Sequence, residues 1–293
     1  MTMQLVRVFA LPGADTGGNP APVWLGADDM TTAQMQEHTR LSGHESVFVL
    51  KPSSADHQFR MRYFVPRHEM EMCGHATLGA LWLLHARGLW NGEPVAVETL
   101  SGTVQGRYMQ GTVEISQPNA RVEVVGDALV QEIARCLGVE IRQIVGPVLN
   151  SATSRVKTLV RLESLDALHS LRVDLGSVEA LCDRLASTGL YPFALADGNG
   201  PVVSARQFPR SSGYPEDAAT GIAAAALAWG LREQALAGDA ATLVTVRQGE
   251  AMGSPSMIGV RLPARGEEAQ GCWLRGEARA MQGEQALVRH PAA

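Results

Sequence analysis

One strand–loop–helix segment occurs twice along this chain, and that repetition narrows the fold more than any single residue does. The first copy runs Arg62-Tyr63-Phe64, then Cys73-Gly74-His75-Ala76, then an apolar helix from Thr77 to Leu84. The second runs Arg206-Gln207-Phe208, then Thr220-Gly221-Ile222-Ala223, then an apolar helix from Ala224 to Leu231. Gly74 and Gly221 stand 147 residues apart in a chain of 293, so the offset is almost half the length. A helix that is apolar nearly all round is buried on every side. In a β-rich sequence this predicts an α+β protein of two pseudo-symmetric domains, each a curved, barrel-like sheet around a central helix. Helix N-termini carry unpaired N–H groups and partial positive charge, which suits an anion. If both helix starts face one interdomain cleft, a small anionic metabolite held between Gly74 and Gly221 follows.

The remaining pattern fits two halves. Strand-like segments are expected at Leu5–Leu11, Ala21–Leu25, Ser46–Lys51, Gln58–Phe64, Val95–Leu100, Gly102–Tyr108 and Gly111–Ser116. A helix over Thr31–Leu41 has Asp28, Asp29 or Thr31 as candidate caps. The break at Gln117-Pro118-Asn119 restarts the pattern, with helices at Asp127–Leu137 and Ser177–Thr188, the second capped by Ser177. Strands are expected at Lys157–Glu163, Pro192–Ala196, Val202–Phe208, Thr242–Gln248, Met257–Leu262 and Trp273–Gly276. The domains are therefore drawn as 1–118 and 119–282, with a loose tail over 283–293.

Composition excludes several classes. Hydrophobic residues make up 45% and charged residues 19%, enough to bury a core. The net charge is −5 and no Lys/Arg stripe is present, which argues against nucleic acid. The longest apolar run, Ile222–Gly230, is too short to span a bilayer. Cys73, Cys136, Cys182 and Cys272 form no CxxC or disulfide framework, so a reducing, cytoplasmic setting is expected. With no HExxH, GxGxxG or Walker motif, no metal and no cofactor are expected.

A few polar residues stand where chemistry could occur. Glu45 lies between the polar turn Ser42-Gly43-His44 and the apolar run Val47-Phe48-Val49. Partial burial there would raise its pKa toward that of a proton shuttle, while a surface glutamate at a strand start is the plain alternative. His75 falls in the first turn of the first central helix, as a substrate donor or as a packed core histidine. Asp217 precedes the second central helix and could cap it, orient His75, or meet a substrate amine. Asn19 could bind a substrate carboxylate with Gly18, or simply shape a Gly-Asn-Pro turn.

These residues resemble the phenazine-biosynthesis isomerase family (PhzF-like), which shares its fold with diaminopimelate epimerase and proline racemase. The resemblance rests on Gly18-Asn19-Pro20-Ala21, Glu45-Ser46-Val47-Phe48, Arg62-Tyr63-Phe64-Val65-Pro66, Cys73-Gly74-His75-Ala76-Thr77 and Glu216-Asp217-Ala218-Ala219-Thr220-Gly221. Gln248-Gly249, Met252-Gly253 and Pro255-Ser256 extend it toward the C-terminus. It implies cofactor-free proton transfer next to a carboxylate or carbonyl, often in a homodimer. It implies Glu45 as the acid/base and a histidine in the site at His75. Asp217 joins them by its position before the second central helix, and Asn19, Cys73, Gly74, Thr220, Gly221 and Ile222 are candidate substrate contacts, with a small buried hydrophobe the plain alternative for Cys73.

Two departures shape the mechanism. The racemase and epimerase relatives set two cysteines at mirrored positions, whereas here Cys73 is mirrored by Thr220, a poor acid and base on its own. A one-site shuttle through Glu45 then fits better than an amino-acid or hydroxy-acid epimerase. Where the family carries a serine after Thr-Gly, this chain has Ile222, which makes the pocket more apolar there. A silent binding or interaction protein is the remaining reading.

Overall fold

A computed structural model describes residues 2–13, 16–196, 201–212 and 214–281. The expected tail over 283–293 and the Gly198-Asn199-Gly200 loop lie outside the described residues. The fold is α+β, and residues up to Ser116 together with the chain from Arg275 form one compact unit, Gln117–Leu274 the other.

In the first unit, β1 (Thr2–Val8) and β2 (Asn19–Leu25) form an antiparallel hairpin. Helix α1 (Thr32–Ser42) then carries the chain to β3 (Ser46–Leu50), which runs parallel to β2. Thr31 caps α1 in a reciprocal capping box with Gln34, which settles the choice among the three expected caps. β4 (Phe59–Val65) pairs antiparallel with β3, followed by the short β5 (His68–Met70) and by α2 (Gly74–Ala86). The chain re-enters the sheet as β6 (Val95–Thr99), parallel to β4, and continues as an antiparallel meander through β7 (Gly102–Met109) and β8 (Thr112–Gln117).

The second unit repeats this order. After β9 (Arg121–Val124) and α3 (Asp127–Leu137), β10 (Leu149–Ala152) and β11 (Val156–Arg161) form the hairpin. Helices α4 (Leu165–His169) and α5 (Leu175–Arg184) lead to β12 (Gly189–Leu195), parallel to β11. β13 (Val202–Ala205) and β14 (Phe208–Pro209) pair with β12, α6 (Gly221–Glu233) follows, and β15 (Thr242–Gln248) returns parallel to β13. β16 (Ser256–Leu262) pairs antiparallel with β15, followed by β17 (Cys272–Arg275) and β18 (Ala278–Ala280).

Side-chain detail shows that the repeat is structural. Arg62 grips Glu69 through Nε and Nη2, both at 2.7 Å, and lies 5.2 Å over the Phe64 ring. Arg206 grips Glu216 at 2.9 and 2.7 Å and lies 5.0 Å over the Phe208 ring. Both central helices are 13 residues long and begin on the repeated glycine. Both are buried along almost their whole length, α2 against β1, β2, β3 and β18, and α6 against β9, β10, β11 and β16.

Several boundaries differ from expectation for physical reasons. β1 starts and ends earlier because Phe9 adopts φ 64 and leaves the ladder, its N–H bonding the Glu277 carbonyl at 2.7 Å. Helix α5 is capped by Asp174, which accepts the Gly176 N–H; Ser177, the expected cap, instead donates its hydroxyl to Asp174. The expected strand Val202–Phe208 is two pieces, because Gln207 leaves it to bridge Asp217. The second unit ends before residue 282: β18 pairs with β1, placing Val6 opposite Ala280. No helix among the described residues is long and apolar enough to cross a membrane.

Candidate active site

In the first unit the expected residues converge on the start of α2. Glu45 ends the turn after α1, immediately before β3, and its side chain is 28% exposed. Cys73 is the N-cap of α2 in an extended conformation, and its side chain makes no capping bond. Its thiol donates to Glu45 Oε2 at 3.1 Å and lies 3.2 Å from His75 Nδ1. His75 Nδ1 is 3.6 Å from the same carboxylate oxygen. With the thiol hydrogen directed at Glu45, the sulfur is left to accept from Nδ1–H, which makes Nε2 the lone-pair nitrogen. That Nε2 is buried and has no hydrogen-bond partner. A buried acceptor without a partner costs free energy that a ligand donor would recover.

Other groups support this corner. Tyr63 is fully buried and bonds Thr77 at 2.8 Å, while Thr77 donates to the Cys73 carbonyl at 2.7 Å, which fixes the helix start to β4. His44, beside Glu45, is held below its ordinary pKa by burial first and by His75 second, so it stays neutral more readily. Gly18 has φ 70, and a Cβ there would lie 2.6 Å from the Val8 carbonyl oxygen, so the turn into Asn19 admits only glycine. Asn19 opens β2 opposite Val8, at the same end of the sheet as Glu45, because β2 and β3 run parallel. Glu45, Cys73 and His75 also present ligand atoms within 4.8 Å of one another. The sequence offered no metal pattern, yet these donor types suit zinc.

In the second unit the start of α6 carries a different set. Thr220 is its N-cap and, like Cys73, makes no side-chain cap bond; its hydroxyl donates to Asp217 Oδ2 at 2.5 Å. Asp217 Oδ1 accepts the Ala219 N–H at 3.4 Å. Gln248 donates to the Asp217 carbonyl at 2.7 Å and to Thr220 Oγ1 at 3.0 Å, and accepts from the buried Tyr191 hydroxyl at 2.8 Å. Gly249, at φ 79, lets the chain pass close to Ala218: a Cβ would lie 2.8 Å from the Ala218 carbonyl oxygen. Asp217 is thus fixed by its own loop. Ile222 is the one residue between Gly221 and Arg232 that is not buried. In the sequence Gln248 stands out only as part of a motif and Tyr191 carries no signal; their value lies in partners distant in sequence.

Against this geometry, the family model for phenazine biosynthesis-like proteins matches residues 8–283. The chain belongs to that family. A Deinococcus radiodurans protein described as an uncharacterized isomerase is 33% identical over 88% of this chain and 86% of its own length. The trans-2,3-dihydro-3-hydroxyanthranilate isomerase of Pseudomonas fluorescens is 31% identical over 90% of this chain and 91% of its own. The crystal structure of a PhzF-family protein from Bacillus anthracis superposes with a TM-score of 0.83 at 24% identity, over 96% of both chains. The PhzF-family chain described here is accordingly an isomerase with a diaminopimelate epimerase-like fold.

Proposed function

We propose that this isomerase moves a proton within a small carboxylate-bearing substrate, without a cofactor, using Glu45 as the single acid/base. The observation that carries the reading is the Cys73 thiol donating to Glu45 Oε2 at 3.1 Å. A thiol that gives its hydrogen to a carboxylate orients that carboxylate as a base. Glu45 removes a proton from carbon next to the carbonyl or carboxylate, the C–H electrons enter the adjacent π system, and the new carboxylic acid returns the proton to a second carbon on the same face. One C–H bond breaks, one forms, and the double bond shifts; nothing is oxidised.

The developing charge meets the unpaired N–H groups at the start of α2. His75 Nε2, buried and unpartnered, accepts a substrate O–H or N–H. Asp217, held by Thr220 and Gln248, accepts a second substrate donor such as an amine, and the opening N–H groups of α6 at Gly221 and Ile222 bind an anionic group. Asn19 contributes a carboxylate contact. The first compound to test is trans-2,3-dihydro-3-hydroxyanthranilate, followed by a panel of small unsaturated carboxylates. Incubation in D2O, read by NMR, shows deuterium entering the product in the wild type and none in Glu45→Gln. An epimerase would instead invert the labelled carbon and lose all exchange in Cys73→Ala.

A further inference from the structure

The chain holds 25 Lys and Arg residues, and only two of them, Lys51 and Lys157, are lysines. Lys51 is exposed. Lys157 is 4% exposed, and its ammonium makes one long hydrogen bond, 3.5 Å to the Thr188 carbonyl. A sequence that uses arginine for almost every surface cation has put a lysine inside.

The repeat shows what is unusual about its place. Phe64 lies opposite Ser46 and Phe208 opposite Leu190, so the Arg62–Phe64 and Arg206–Phe208 match aligns Glu45 with Gly189. The neighbouring ladders agree: Val23 pairs with Val47 and Leu159 with Tyr191, which aligns Ala21 with Lys157. The partners Val6 and Ser151 then align too, and both face the central helix: Val6 lies under Gly79, and Ser151 donates to the Ala226 carbonyl. Where the first unit plants the Glu45 carboxylate, the second has a bare glycine. Gln207 fills that space, since a Cβ on Gly189 would lie 2.2 Å from Gln207 Nε2. Gln207 is 1% exposed, and neither atom of its amide has a hydrogen-bond partner. Its counterpart Tyr63 bonds Thr77, but α6 offers Ala224 there, which has nothing to bond.

We propose that Lys157, the Gln207 amide and the opening N–H groups of α6 form a binding site for a carboxylate. The cationic corner then stands in the second unit at the position that mirrors Glu45 in the first. The proposal rests on the isomerase reading only in taking that carboxylate to be the substrate's. Asp217 attracts the ammonium and Arg155 repels it, while burial pushes its pKa down to about 8, so the site gains most from an incoming anion.

The test uses the intact protein labelled with 13C at lysine Cε, which gives two signals, assigned by Lys51→Arg. Sodium acetate is titrated at constant ionic strength, with neutral acetamide as the control, in wild type and in Glu45→Gln. The expected result is a saturable shift of the Lys157 signal by acetate and none by acetamide, unchanged in Glu45→Gln. Survival in that variant separates this site from the proton-transfer reading. Lys157→Met should raise Tm and abolish acetate-dependent stabilisation of the fold. A Lys157 signal indifferent to acetate, or a lowered Tm in Lys157→Met, would overturn the proposal, because a lysine kept for structure stabilises the fold.

Discussion

The Cys73 thiol donates to the Glu45 carboxylate across 3.1 Å, which fixes the direction of that carboxylate oxygen. Its place at the N-cap of α2 makes it the counterpart of Thr220, whose hydroxyl donates in the same way to Asp217. Each central helix thus starts with a side chain that holds a carboxylate. If Cys73 only orients Glu45, Cys73→Ala loses one weak hydrogen bond. The expected loss in kcat is about tenfold or less, from about 1 kcal/mol of positioning. Steady-state rates with exchange in D2O check this.

Ile222 is the partly exposed residue in the first turn of α6. Ile222→Ser places a hydroxyl at that position. It should raise kcat/KM about fivefold for a carboxylate that the exchange assay identifies as a substrate, the worth of one hydrogen bond. The effect should appear in KM, since the group binds and does not react. Parallel assays of wild type and variant measure it.

Lys157 sets a pH dependence of stability. Its pKa is about 8 in the fold and 10.5 in the reference state, and desolvation is the main cause. Between those values the unfolded chain binds a proton that the folded chain does not, so stability rises with pH across that window. Below it the charged side chain is buried at a cost of the order of 3 kcal/mol. Lys157→Met should therefore be more stable than wild type at pH 7, with the gap narrowing toward pH 10. Urea unfolding at both pH values tests the sign.

Glu114 is fully buried in β8, held by Arg107 at 2.7 Å and by Arg275 at 3.4 Å. Arg107 stands opposite it in the ladder, and Arg275 belongs to the segment that leads back to β18. Glu114→Ala leaves two partly buried guanidinium groups without their carboxylate and should cost about 3–5 kcal/mol. Glu114→Gln should cost less, because it keeps a hydrogen-bond acceptor. Denaturant midpoints of the two variants give the comparison.

The central helices were legible because their signal is local: a glycine, a small-residue turn and an unbroken apolar stretch. The strand–loop–helix repeat was legible for the same reason, and its Arg–Glu grips follow it into three dimensions. Glu45 and His75 could be nominated from motif and position, but their link through Cys73 depends on how β3 meets α2. Lys157 was invisible, since a lone lysine in a strand reads as surface until the ladder shows which face it occupies. Gln207 was equally hidden: the repeat marked its place opposite Tyr63, and only the packing shows that its amide has no partner. β18 was missed because three residues carry too little pattern to reveal a pairing with β1.

The role of Glu45 is tested most directly by deuterium exchange. The wild type and Glu45→Gln are each incubated in D2O with trans-2,3-dihydro-3-hydroxyanthranilate and the carboxylate panel, and NMR follows label at each carbon. The account predicts that the wild type incorporates deuterium at the carbon that receives the returned proton, with the double bond shifted. Glu45→Gln, folded and still able to bind, should incorporate none. Exchange at the wild-type rate in Glu45→Gln would contradict the account, because the proton would then travel through another group.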